Sequence, residues 1–266
     1  MIMMRTIRST TGYEPEALRG YPQKKTVAPD AVVQTPSSYT HYATFSYDTQ
    51  SGQWEMIGPA AVGMDTLVTT PRGVMGVNVD WAERLNDAGY QRPWSSKNTP
   101  VDTAVYLLNL AEKRWVRLGS EQKSPQNLYE MTSLAYDTKR DRLLLHGGGA
   151  RRDELWAFDT KTRRWTHLEP KGDRPAAGRE AAYLPNKDVL VISSPTPEDR
   201  NSLALWAYTP VDNTWRRVST SFTGAAPRGV SSQNRAMVYD AKRDLLLLVL
   251  GETTGRAAVY GMRFSP

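Results

Sequence analysis

Trp115, Trp165 and Trp215 stand fifty residues apart, and each closes a phrase of the same length and pattern. The phrases run from Val105 to Trp115, from Leu155 to Trp165 and from Leu205 to Trp215, with an earlier copy from Thr44 to Trp54. Each opens on a short β-prone stretch, crosses five or six polar residues and closes on a second short stretch that carries the indole. Self-similarity with a period of about forty to fifty residues marks a repeat architecture, in which each unit buries its apolar face against the next. The chain is therefore read unit by unit.

Two β-rich runs joined by Asp, Thr, Ser, Gly or Asn read as a hairpin. Asp48 and Asp159, with Ser51 and Thr162 three residues on, suit the turn because their side chains can bond the local backbone. A second hairpin lies between the tryptophan phrases. It is clearest at 135–145 and 238–248, where Tyr136-Asp137 and Tyr239-Asp240 precede Asp141 and Asp244 and a leucine run. A weaker copy occupies 182–192. The unit is thus four antiparallel strands, a to d. The near-continuous apolar runs of a and b place them inside, with d at the edge.

Four-stranded sheets at this period, with no helices between them, describe the blades of an all-β β-propeller. About five units are recognisable, and six units or an incomplete set are both compatible with the count. Pairs a–b fall near 132–146, 180–193 and 235–250, with 65–77 a poor fourth. Pairs c–d fall near 43–58, 104–118, 154–168 and 204–218, and a lone strand c spans 257–264. Residues 1–27 form an unassigned leader and 28–266 the propeller. By register the next tryptophan belongs near position 269, past Pro266, so the last blade is expected to lack its outer strand. Either residues 26–34, with Val27, Val32 and Val33, complete that blade, or the chain is part of a longer propeller.

Composition narrows the function classes. The net charge of +6 is spread over 266 residues without a block of five like charges, so a nucleic-acid partner is not expected. The absence of cysteine rules out disulfides and thiolate chemistry within this chain. The start, Met1 to Met4 followed by Arg5, lacks the apolar stretch of a secretory signal. The longest apolar run, Leu245 to Leu250, suits a strand and is too short to span a bilayer. The compartment and the oligomeric state stay open.

The run Tyr136-Asp137, Asp141, then Leu143 to Gly149, followed by Leu155 to Trp165, resembles a kelch repeat of the galactose-oxidase central-domain type. The resemblance covers roughly 43–266 and rests on the double glycine after strand b, the aromatic near the end of strand c and the tryptophan of strand d. The glycine pair is intact at Gly147-Gly148, reduced to Gly251 in the last unit and replaced by Ser193-Ser194 in the fourth. The resemblance implies a propeller. It does not carry over the copper-radical chemistry of galactose oxidase, which needs a tyrosine–cysteine crosslink. His41, His146 and His167 fall in separate elements without metal-ligand spacing, and no metal or cofactor is expected.

Two roles compete for the repeated tryptophans, sugar stacking and packing between sheets. Their fixed place in each blade favours packing. Binding residues belong on loops, and strand parity puts the long b–c and d–a loops on one side of a blade. Those loops carry Arg151, Arg152, Arg174, Arg200, Arg228 and Arg256. Arg179 and Arg235 open strand a at matching places, four residues before Tyr183 and Tyr239, and are expected at the channel mouth. The largest break in period is an insertion at 78–103. There Asp80 to Gly89 reads as a capped short helix, with Trp81, Tyr90, Arg92 and Trp94 as candidate contacts. The reading is a non-catalytic binding propeller for a protein or carbohydrate ligand, contacted by Arg179, Arg235, Trp81, Tyr90, Arg92, Trp94, Arg151 and Arg152. One alternative is a hydrolase or lyase in the channel mouth, drawing on Glu130, Glu180 or Asp102. Another is a structural module of a larger envelope or extracellular protein.

Overall fold

The computed structural model describes residues 2–9, 23–27, 36–60, 66–78, 103–119, 124–125, 132–147, 153–175, 180–194, 203–221, 223, 230–252 and 257–264; at 2–9, 23–27, 36–43, 58–60, 78, 230–235 and 252 it describes the backbone alone. Among these residues every regular element is a strand. The expected helix at 80–89 lies outside them, as does most of the insertion at 78–103. No helix among the described residues is long and apolar enough to cross a membrane. The chain divides into two compact units, Met1–Gly119 and Ser120–Pro266.

Among the described residues the first unit holds two sheets. One joins β1 (Ile2–Ser9), β2 (Gln23–Val27), β3 (Pro36–Tyr47) and β4 (Trp54–Ala60). Long β3 takes β1 on one edge and both β2 and β4 on the other. The leader, in which the sequence shows no repeat copy, thus supplies β1 and β2. Val27, considered above for closing the last blade, pairs with Pro36 of β3; residues 28–35 lie outside the described residues. The other sheet runs β5 (Thr66–Thr70), β6 (Gly73–Asn78), β7 (Ala104–Asn109) and β8 (Arg114–Leu118) in sequence order. The poor a–b pair near 65–77 is therefore a true hairpin. The two sheets are tied by Trp115, whose Nε1 donates to Thr44 Oγ1 at 2.6 Å, and by an exposed Lys113–Glu55 ion pair at 3.1 Å.

Among the described residues the second unit holds three sheets, each with its strands in sequence order. The first is β9 (Ser133–Asp137), β10 (Arg142–His146), β11 (Leu155–Asp159) and β12 (Arg164–Leu168). The second is β13 (Ala181–Leu184), β14 (Val189–Ser194), β15 (Ala204–Thr209) and β16 (Thr214–Val218). The third has three strands among the described residues, β17 (Val230–Asp240), β18 (Leu245–Glu252) and β19 (Ala257–Met262). The a, b and c strands of the first two sheets are buried on both faces, as their unbroken apolar runs require.

Burial on two faces needs two neighbours, and the core consists of the seams between sheets. At one seam Ala135, Leu144, Leu155 and Ala157 meet Tyr183, Leu190, Ile192, Trp206, Tyr208 and Trp215. At the next, Ala182, Val191, Leu205 and Ala207 meet Met237, Leu246, Leu248, Leu250 and Phe264. Trp165 and Trp215 are buried, each tilted against the facing aromatic of its own strand c: Phe158 at 5.0 Å and Tyr208 at 5.3 Å. Trp115 is half-buried. Trp54 keeps the same pairing, 4.8 Å from Tyr47, yet is 47% exposed. Packing between sheets thus holds for Trp215, which lies in the seam, while the equivalent Trp54 is half-exposed.

Candidate functional site

The four strands of a blade alternate in direction. The b–c and d–a connections therefore leave one end of the blade and the a–b and c–d turns leave the other. These two ends differ in chemistry.

At the turn end the side chains bond one another. Asp137 Oδ1 accepts the amides of Lys139 and Arg140, both at 3.1 Å, and Asp240 Oδ1 accepts those of Lys242 and Arg243 at the same distance. The last residue of these turns, and of the matching turns opened by Leu184 and Thr209, is left-handed, a conformation that Asp and Asn tolerate. Asp141, Asp188 and Asp244 have φ of 50°, 54° and 50°, and Asn213 has 52° in a c–d turn. In each case a tyrosine five residues earlier donates its hydroxyl hydrogen across the turn: Tyr136 to Asp141, Tyr183 to Asp188, Tyr208 to Asn213 and Tyr239 to Asp244. This explains the tyrosine of the repeated Tyr-Asp phrase, whose partner in the left-handed aspartate could be found from sequence by its constant spacing.

Asp188 and Asp244 also receive a cation from the preceding blade. Arg140 grips Asp188, Lys187 lies 3.1 Å from Asp244, and Asn186 donates to the Ala241 carbonyl at 3.2 Å. Asp137, wholly buried, is held by Arg140 and, at 3.0 Å, by Arg142 Nε. Hydrogen bonds from Arg140 hold the Asp188 carboxyl well below the usual carboxylate range. Burial and the bond to Asp188 push the Tyr183 phenol far above its ordinary value, and burial followed by the bond to Asp244 pushes Tyr239 up to about 12.

At the loop end the inner strands finish on buried polar groups. Ser133 and His146 are paired in register on β9 and β10 and both are fully buried. One blade on, buried Glu180 takes the place of Ser133 and Ser193 that of His146. The Ser193 amide donates to the Glu180 carbonyl at 3.1 Å, and its hydroxyl donates to Glu180 Oε2. His146 meets Trp215 edge-on at 5.7 Å, and among the described residues neither of its ring nitrogens has a hydrogen-bond partner. Burial lowers its pKa to about 4, with Asp153 opposing weakly, so the ring is neutral near pH 7. Further out, Trp156 stacks on His167 at 4.6 Å and donates to Glu154 at 2.9 Å, and Arg174 lies 3.5 Å from Asp153.

Of the contacts read from sequence, Trp81, Tyr90, Arg92, Trp94, Arg151, Arg152 and Arg179 lie outside the described residues. Arg235 is described by its backbone, which pairs with Leu250 where β17 resumes register after a bulge. Of the carboxylates considered for chemistry, Glu130 and Asp102 also lie outside, and Glu180 is engaged by Ser193. The described residues hold no cluster of three His, Asp or Glu side chains able to ligate a metal. Sequence reasoning did not find the Ser133–His146 and Glu180–Ser193 pairs, because the two members of each come from different strands and share no residue type.

A family model for the KLHDC2/KLHL20/DRC7 Kelch-repeats domain matches residues 94–251. Among curated proteins none matches the chain. Among solved structures the chain is similar to TolB from Acinetobacter baumannii, with a TM-score of 0.52 and 16% identity over 84% of this chain. It spans 46% of that protein's length, and at this identity the likeness speaks for the fold alone.

Proposed function

This chain belongs to the Kelch-repeat family of β-propellers, and on that premise we propose that it is a non-catalytic module that holds a protein ligand on the loop ends of its blades. Kelch propeller domains generally mediate protein interaction. The observation that favours the loop end is the state of the opposite one. Arg140, Arg142, Lys187 and Arg243 are all committed there to carboxylates of their own or the neighbouring blade. A surface whose charges are mutually satisfied offers a ligand little to bind. The loop end carries the segments that break the repeat, and those are rich in arginine and aromatic residues, the types enriched at protein interfaces. Arg179 and Arg235 would anchor acidic groups of the ligand, Arg151 and Arg152 would extend the basic surface, and Trp81, Tyr90, Arg92 and Trp94 would supply contact area.

The test uses the purified chain on arrays of acidic, neutral and basic peptides and of glycans. Binding to acidic peptides that falls at least about tenfold in Arg179→Glu and Arg235→Glu, and survives in the turn-end variant Arg243→Ala, supports the reading. Binding to glycans alone, binding lost only in Arg243→Ala, or no peptide bound overturns it.

A further inference from the structure

In the first unit a phrase tryptophan satisfies its indole N–H on the preceding sheet: Trp115 Nε1 donates to Thr44 Oγ1 at 2.6 Å. Thr44 opens its own phrase, the one that Trp54 closes. Trp215 holds the same place in its phrase as Trp115, and on the preceding blade the residue in the place of Thr44 is Leu155. Leu155 and Trp215 share one seam, so the neighbour is kept and its acceptor is lost.

A polar group lies one strand further in. Leu155 is paired in register with His146 of β10, and the His146 ring meets Trp215 edge-on with centroids 5.7 Å apart. Among the described residues neither nitrogen of His146 nor Trp215 Nε1 has a hydrogen-bond partner, and all three atoms are buried. Trp206, in the same seam, has lost its acceptor too. Its counterpart Trp156 donates to Glu154, two residues earlier, at 2.9 Å, whereas Ala204 stands two residues before Trp206. Trp206 Nε1 has no partner among the described residues. One seam thus gathers two indole donors and an imidazole, all buried. A buried polar group left unmade costs more than ordering one solvent molecule, and such a molecule needs about two to four polar partners.

The chemistry of these groups selects the occupant. An indole N–H only donates, and a neutral imidazole accepts at one nitrogen and donates at the other. To join Trp215 to the accepting nitrogen, one atom must take a hydrogen bond and give another, as a water oxygen does. An anion accepts without donating, and the residues that form this seam include no cation to balance it. A metal ion needs lone pairs from several ligands, and an indole N–H offers none. Leu155 and Trp215 are 0% and 1% exposed, so the place is closed to a larger solute.

We propose that the seam between the β9–β12 and β13–β16 sheets binds one internal water molecule, which accepts a hydrogen bond from Trp215 Nε1 and donates one to the His146 ring. The water does for Trp215 what the Thr44 hydroxyl does for Trp115, and it ties the inner hairpin of one blade to the outer strand of the next.

Two measurements on the full chain test this. A high-resolution crystal structure of the wild type should show a single solvent peak within hydrogen-bond distance of Trp215 Nε1 and of one His146 nitrogen. In solution near pH 7, the assigned Trp215 indole proton should show a cross-peak to long-lived water, with the sign of dipolar transfer and not of exchange. His146→Leu leaves the water without its acceptor and should erase that cross-peak, and His146→Gln, which restores a polar atom, should bring it back. A crystal without the solvent peak, a wild-type indole proton without the cross-peak, or an undiminished cross-peak in His146→Leu overturns the proposal. If His146→Leu melts early, the two wild-type measurements decide on their own.

Discussion

The guanidinium of Arg140 straddles the carboxylate of Asp188, Nη1 to Oδ1 at 2.7 Å and Nη2 to Oδ2 at 2.8 Å, between the a–b turns of adjacent blades. Asp188 is simultaneously the left-handed residue of its turn and the acceptor of Tyr183. One carboxylate thus closes its own hairpin and fastens the blade before it. Arg140→Ala leaves Asp188 and buried Asp137 undercompensated and should cost about 2–3 kcal/mol in urea unfolding. Arg140→Lys keeps the charge without the fork and should recover only part of that loss.

The same pair predicts an acid-side dependence. The folded pKa of Asp188 is depressed, so its stabilisation is complete above the unfolded value of 3.8 and disappears as pH falls through the folded one. Asp188→Asn should flatten that part of the stability profile, read as the urea midpoint against pH.

His146 acts over a higher window. Its pKa drops from 6.5 to about 4 on folding because the ring is buried. Below pH 6.5 the unfolded chain takes up a proton that the folded one refuses, and stability declines until the folded ring protonates near pH 4. The full loss is on the order of 3 kcal/mol. His146→Gln should abolish the decline between these limits, and thermal melts at stepped pH values measure it.

The linker after β12 runs alongside β16, with Lys171 N donating to Asn213 O and Trp215 N donating to Lys171 O. Gly172 has φ of +84° there, and a Cβ on it would collide with the Trp215 carbonyl oxygen. Gly172→Ala combines an unfavourable backbone region with a backbone clash. It should destabilise the second unit by about 2 kcal/mol or more, seen as a lowered melting temperature.

The repeated tryptophans should separate by burial despite their shared motif. Trp215→Ala removes a side chain that is 1% exposed and should cost about 3–5 kcal/mol. Trp54→Ala, at a position 47% exposed, should cost under about 1 kcal/mol. Chemical denaturation of the two variants compares them directly.

Much of this could be read before any coordinates. The alternation of apolar runs and Asp-rich turns sets strand and hairpin locally, because side-chain period and turn chemistry act over a few residues. The places of β5–β19 follow from it. Strands β1 and β2 were illegible for the same reason: the leader carries no repeat, and β1 finds its partners far along the chain, from Ser9–Tyr39 to Ile2–Ser46. Of the candidate contacts, the loop arginines and the insertion were chosen by where the period breaks, which locates a loop and says nothing of what its side chains touch.

The amino-acid sequence by itself determined that these residues form hairpins stacked in a repeating order, since pattern and turn residues are properties of neighbours along the chain. Only the tertiary structure decided which members of an identical motif are buried. Trp215 and Trp54 sit in equivalent phrases, and they differ because one has a blade laid against it. It also decided that Arg140 belongs to Asp188, and that His146 is a neutral seam residue. Those are contacts between segments that meet only when the sheets pack, and burial and charge pairing depend on that meeting.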